Sequence, residues 1–106
     1  MMQWLFWKPR ADLKLTPAEV VRELIWGEDV EGLVDLPIKE IIERLKGAFG
    51  GRETPGLLTI PLAGGPCEIH WSWQHVRAAC AAFSPEEKQR LTEILGEFGC
   101  LPHEAS

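Results

Sequence analysis

The sequence predicts an α+β fold, a two-layer sandwich in which the helices cover one face of a three-stranded antiparallel meander. Three segments carry the 3.6-residue apolar spacing of amphipathic helices, with start and stop residues at their ends. Between the second and the third of these segments lie three short strand-like runs joined by short connectors. Neighbouring strands joined in this way pair antiparallel. The predicted order is therefore α-α-β-β-β-α.

The three helices are recognised mainly by their ends. Thr16 and Ser84 each precede a proline and stand three residues before a glutamate, which predicts a capping box at both positions. Pro37 opens the second helix, and a glycine follows each apolar stripe. The stripes comprise Val20, Val21, Leu24 and Ile25 in the first helix, Ile38, Ile41, Ile42, Leu45 and Phe49 in the second, and Leu91, Ile94, Leu95 and Phe98 in the third.

Alternating polarity determines which strand residues share a face. The predicted strands span residues 57–62, 67–71 and 76–83, with connectors of four residues at 63–66 and 72–75. A connector of odd length would turn charged side chains toward the core, at a cost of several kcal/mol. We expect the first strand to be an edge strand, because Pro61 has no N–H to donate. The apolar face then comprises Leu58, Ile60, Leu62, Cys67, Ile69, Trp71, Val76, Ala78 and Cys80, and the polar face Thr59, Pro61, Glu68, His70, Arg77 and Ala79.

Length and composition indicate a single globular domain. The chain has 106 residues, of which 45% are hydrophobic and 25% charged. We expect an aromatic leading segment and connector over residues 1–15, a folded core over 16–101 and a tail over 102–106. Residues 28–36 carry four carboxylates without the spacing of a calcium loop, and are predicted to be a solvated loop. The glycine-rich residues 50–56 are predicted to form a mobile loop.

Charge and targeting features exclude several classes of partner. The net charge of −5 argues against nonspecific binding to nucleic acid. No apolar run approaches the roughly 18 residues of a membrane-spanning helix. At the N-terminus the positive charges follow the apolar residues, whereas a signal peptide places them first. We expect a soluble, cytoplasmic protein that binds neither membrane nor nucleic acid.

The cysteines and histidines are the residues with most chemical potential. Cys67 and Cys80 are predicted to lie opposite each other, either as two small buried side chains or as a redox pair. His70 lies with Arg77 on the polar sheet face, and His75 lies in the adjacent connector. Imidazoles serve acid–base chemistry or bind metals, but the spacing matches no metal motif and a flat sheet face offers no cleft. We expect no catalytic residue, no metal and no cofactor.

The tryptophans give the strongest indication of function, since the chain has five of them and no tyrosine. Trp71 has a core position, and Trp26 is expected to pack at the end of the first helix. Trp73 lies in a tight connector, where a large apolar side chain has no structural need. Trp4 and Trp7 lie in a leading segment without helix caps. Exposed aromatics are typical of binding surfaces, although the leading segment could also fold back as an added strand or short helix.

These features predict a small interaction or regulatory domain, for example an adaptor or an immunity-like protein that neutralises a toxin. Its partner would be another protein or a second copy of the chain. The alternative is a small enzyme or ligand-binding protein that uses His70, His75 or a cysteine. Residues 71–76, 84–87 and 98–100 resemble segments of small bacterial proteins, a resemblance that implies no activity. The predicted binding surface comprises Trp73, His75, His70, Arg77, Trp4 and Trp7.

Overall fold

A six-stranded antiparallel sheet forms the centre of the molecule. The computed structural model describes residues 1–105. In chain order its elements are β1 (Met2–Trp7), α1 (Pro17–Ile25), α2 (Ile38–Phe49), β2 (Arg52–Thr54), β3 (Leu57–Leu62), β4 (Gly65–Trp71), β5 (Val76–Cys80), α3 (Pro85–Gly96) and β6 (Leu101–Glu104). The strands lie in the order β2-β3-β4-β5-β1-β6. The predicted α+β class and the β3–β4–β5 meander are confirmed. The predicted three-stranded sheet was wrong, because the sheet has six strands.

Local capping explains why helices α1 and α3 agree with the prediction. The Glu19 N–H donates to Thr16 Oγ1 at 3.3 Å, and the Thr16 N–H donates to Glu19 Oε1 at 2.9 Å. Ser84 and Glu87 form the same reciprocal pair at the start of α3. These bonds satisfy backbone donors that have no partner within the helix.

The two chain ends complete the sheet, which corrects the predicted leading segment and tail. Residues of β1 pair with β5 on one side and with β6 on the other. The aromatic segment thus adopts the added-strand alternative, and residues 101–104 form a strand where a tail was expected from residue 102. Ser106, the last residue of that expected tail, lies outside the described residues.

The helices lie on both sides of the sheet, and not on one as predicted. The first core lies between one sheet face and helices α2 and α3, and it includes Phe6 together with Ile41 and Leu91. The second core lies on the opposite face, where Leu5 and Trp7 pack against α1. Successive side chains of a strand point to opposite faces, so β1 contributes to both cores. The molecule therefore has three layers at β1, in place of the predicted two.

The turn between β3 and β4 is tighter than predicted. Ile60 pairs with Cys67, and Leu62 pairs with Gly65, so the connector has two residues in place of four. This shift of two residues leaves every side chain on its predicted face. Gly64 in this turn has no room for a side chain, since a Cβ atom would lie 2.8 Å from the Ala82 carbonyl oxygen. The predicted β4–β5 register, with Trp71 opposite Val76, is confirmed.

Strand β2 replaces part of the expected mobile loop. Arg52 pairs with Thr59, so β3 is not the edge strand that Pro61 suggested. Pro61 lies beyond the end of β2 in the register, where no partner strand requires its missing N–H. Within residues 1–105 we find no helix that is long and apolar enough to cross a membrane.

Candidate partner-binding groove

A groove runs between the first turns of α2 and the β4–β5 turn. It encloses about 520 Å³. Its apolar lining comes from Ile38 and Ile42, one helical turn apart on α2, and from Trp71 and Trp73. Its polar lining comprises Lys39, Glu43, Glu53 and Ser72. A concavity with an apolar lining and a few polar groups at its rim is the usual form of a binding site.

The β4–β5 turn is held in place by hydrogen bonds of its own. The Ser72 N–H donates to the His75 carbonyl at 3.0 Å, and the Gln74 N–H donates to Ser72 Oγ at 3.2 Å. Ser72 Oγ lies 2.6 Å from His75 Nδ1. These bonds close the turn around Trp73.

A second set of bonds ties the turn to the acidic loop before α2. The Val30 N–H donates to Gln74 Oε1, and Gln74 Nε2 donates back to the Val30 carbonyl, both at 2.7 Å. The Leu36 N–H donates to the Trp73 carbonyl at 2.8 Å. The backbone at Trp73 is therefore fixed from two directions.

The Trp73 side chain remains largely in solvent, with 75% of its surface exposed. Trp26, which was expected to pack, is exposed to a similar extent at 78%. Exposure alone therefore does not distinguish a binding residue in this molecule. Trp73 differs because its backbone is fixed and it is one of the residues that line the groove, whereas Trp26 caps the end of α1.

Carboxylates lie on both flanks of Trp73. On the groove side, Lys46 Nζ contacts Glu53 Oε1 at 3.2 Å and Glu43 Oε1 at 4.0 Å. On the other side, Asp29 and Asp35 line a smaller hollow of about 200 Å³ together with Trp73. Across residues 1–105, neither aspartate takes part in an ion pair within 4.0 Å. The groove side is therefore internally neutralised, and the hollow is not.

Of the two leading tryptophans, Trp7 is buried and Trp4 is half-buried. Trp7 is only 1% exposed, and its ring stacks on His103 with centroids 3.7 Å apart. Trp4 is half-buried on the opposite sheet face, where the Lys88 ammonium lies 3.8 Å from its ring centroid. Both rings are held by the sheet because β1 lies between two other strands.

The three remaining predicted residues also lie apart from the groove. His75 is buried at 9% exposure, and burial together with the Arg77 charge lowers its pKa to about 4, so its imidazole is neutral at pH 7. His70 and Arg77 form a cross-strand pair on the sheet face opposite α2. His70 Nε2 lies 3.8 Å from Glu68 Oε1. Of the six residues predicted for the binding surface, the structure places only Trp73 at the groove.

The cysteines lack the properties of nucleophiles. All three are buried and free, and Cys67 and Cys80 lie close enough for their thiols to interact, as the register predicts. Burial raises the pKa of Cys67 to about 12 and that of Cys100 to about 11. A thiol with a raised pKa stays protonated at neutral pH and is a poor nucleophile.

Two other kinds of chemical site, a metal site and a catalytic serine–histidine pair, lack the arrangement of residues that they require. Among residues 1–105 no group of three or more His, Cys, Asp or Glu side chains is placed to hold a metal ion. Ser72 and His75 are in hydrogen-bond contact, but the charged neighbour that shifts the histidine pKa is a cation, Arg77, whereas a catalytic serine–histidine pair is oriented by a carboxylate. The contact instead closes the turn.

The sequence predicted Trp73 as part of this site, but not the residues of α2 or of the acidic loop that lie beside it. Ile38 and Ile42 were assigned to a core stripe, and Asp29 and Asp35 to a solvated loop. A signal was present in the four carboxylates of residues 28–36, but their approach to Trp73 depends on bonds between Val30 and Gln74, 44 residues apart. No protein-family profile matches the chain, and no curated protein or solved structure is significantly similar to it. The function therefore has to be inferred from the groove itself.

Proposed function

We propose that this protein is a small interaction domain that binds a segment of a protein partner in the groove beside Trp73. One observation carries the proposal: a solvent-exposed tryptophan ring stands on a fixed backbone at the wall of an apolar concavity. Tryptophan is enriched among the few residues that dominate binding energy at interfaces. An adaptor or immunity-like role requires such a surface and no catalytic group.

Fixing the backbone in advance favours binding. A partner must otherwise offset the loss of conformational freedom when a mobile loop becomes ordered. Here Leu36 and Gln74 already hold the turn through bonds of 2.7–2.8 Å. Covering the Trp73 ring would then remove apolar surface from water with little loss of backbone conformational entropy.

The binding segment would place an apolar side chain on the groove floor. Ile42 is buried and Ile38 and Trp71 are half-buried, so the floor is apolar. The three free thiols support a reducing compartment, and we place the interaction in the cytoplasm.

The test compares two tryptophans of nearly equal exposure. A randomised peptide display library is selected on the intact protein, and the selected peptides are titrated against wild type, Trp73→Ala and Trp26→Ala. We expect Trp73→Ala to raise Kd at least about 30-fold, since truncating a central interface residue costs about 2 kcal/mol or more. Trp26→Ala should leave Kd within about twofold, because Trp26 does not line the groove.

Backbone NMR shifts provide the second readout. Selected peptides should shift amide resonances of Ile38, Ile42 and Trp71, and circular dichroism should show both variants folded. The proposal is wrong if no selected peptide depends on Trp73, or if Trp26→Ala weakens binding as much as Trp73→Ala does.

A further inference from the structure

The acidic hollow next to Trp73 indicates which partner chemistry the groove selects. We infer that the partner segment is basic, and that an arginine guanidinium lies on the Trp73 ring between Asp29 and Asp35. This inference rests on the proposed function and adds the identity of one bound side chain. A neighbouring apolar residue of the same segment would occupy the groove on the other flank of the ring.

The charge of the loop before α2 favours a basic partner. Residues 28–35 hold four carboxylates and no basic residue. Within the described chain, Asp29 and Asp35 have no ion-pair partner, although ion pairs form elsewhere on the surface, as between Arg44 and Glu97 at 3.0 Å. These carboxylates would therefore attract a cation supplied by a partner, and no ion pair within the chain would have to break when that cation binds.

Anchored backbone groups hold Asp29 and Asp35 beside Trp73. Asp29 precedes Val30, whose N–H and carbonyl are both bonded to the Gln74 side chain. Asp35 precedes Leu36, whose N–H is bonded to the Trp73 carbonyl. Asp29 and Asp35 are thus each within one residue of an anchored backbone group, and they line one hollow with Trp73. The hollow combines an aromatic face with negative charge, the two features that bind an organic cation.

An exposed indole with carboxylates nearby suits arginine better than lysine. A guanidinium is planar, stacks flat on an indole and still directs several N–H donors to carboxylates at its edge. An ammonium is a compact, strongly hydrated charge that gains less from a flat ring with acceptors on its rim. The chain itself places an ammonium over the half-buried Trp4, whereas the Trp73 ring is open to solvent and has acceptors beside it.

The test uses the tightest peptide selected in the preceding experiment and matched versions of it. Each arginine is replaced in turn by citrulline, which keeps the shape and loses the charge, and by lysine. For one arginine we expect citrulline to raise Kd at least about tenfold and lysine to raise it less. Higher ionic strength should weaken the arginine peptide more than the citrulline peptide.

Protein variants locate the effect. Asp29→Asn with Asp35→Asn should raise Kd for the arginine peptide about tenfold and leave Kd for the citrulline peptide nearly unchanged, the signature of a direct coupling. Glu86→Gln with Glu104→Gln removes the same total charge away from the hollow and should have little effect on either peptide. All four substituted side chains are exposed, so the variants are expected to fold.

The two proposals fail in different ways. If peptides bind in a Trp73-dependent manner but show no arginine enrichment, or if citrulline substitution leaves Kd unchanged, the arginine inference is overturned and the groove proposal stands. If no peptide, basic or neutral, depends on Trp73, the groove proposal fails and the inference fails with it.

Discussion

Strand β1 and the β4–β5 turn both carry tryptophans without an assigned core position, yet the fold treats them in opposite ways. Trp7 is buried between the sheet and α1, whereas Trp73 projects into solvent. The difference lies in backbone pairing. An extended segment can join a sheet and place alternate side chains in two cores. The β4–β5 turn instead bonds to the loop before α2 through Gln74 and the Trp73 carbonyl, and these contacts leave the Trp73 ring in solvent.

The largest expected effect is the loss of stability when the buried tryptophan, Trp7, is truncated. Trp7→Ala removes a fully buried ring that stacks on His103, and should destabilise the fold by about 3–5 kcal/mol because a cavity remains. Urea denaturation followed by circular dichroism measures the loss. A loss below about 1 kcal/mol would show that β1 is peripheral. Leu101→Ala, at an exposed position of β6, serves as the matched control and should change stability little.

An intermediate effect tests how the turn is held. His75 has a pKa of about 4 in the folded protein against an ordinary value of 6.5, because burial and Arg77 disfavour its charged form. Between these values the unfolded chain binds a proton that the folded one does not. The stabilisation is therefore complete above pH 6.5, falls as the pH drops toward 4, and does not fall further below 4 through this group. The expected loss is about 3 kcal/mol.

Denaturation at a series of pH values measures this slope. His103 contributes in the same direction, since burial also lowers its pKa. His75→Asn should flatten the slope between pH 6.5 and 4 whatever its effect on overall stability. An unchanged slope in His75→Asn would mean that His75 is not buried in its neutral form.

The sequence predicted the elements whose signals are local. Capping residues at Thr16 and Ser84 located two helices, and alternation within β3–β5 assigned the faces even where the turn length was wrong. Strand β1 escaped because both of its faces are buried, so its sequence shows an apolar run without alternation. Strand β2 has three exposed polar residues in a glycine-rich stretch, and β6 contains a proline. These segments lack a local strand signal, and they become strands because they pair with other strands of the sheet.

The candidate site likewise contains one residue that the sequence predicts and others that it does not. Trp73 was predictable because a turn position and a residue type suffice to suggest exposure. Asp29 and Asp35 were not, because they reach the ring only through the bonds of Gln74 and Leu36, which join residues distant in sequence. Functional surfaces assembled from several loops are hidden from pattern reasoning, even when each loop is recognised.

The smallest expected effect on stability tests the exposed side of the comparison. Trp73→Ala should change the free energy of unfolding by no more than about 0.5 kcal/mol, because the ring makes few contacts that unfolding would break. Urea denaturation beside Trp7→Ala gives the direct contrast, with Trp26→Ala as the control for a second exposed ring. A loss above about 1 kcal/mol for Trp73→Ala alone would mean that the ring packs on the domain and serves its stability. A negligible loss combined with lost peptide binding would separate the two tryptophans by role, since Trp7 would stabilise the fold and Trp73 would contact the partner.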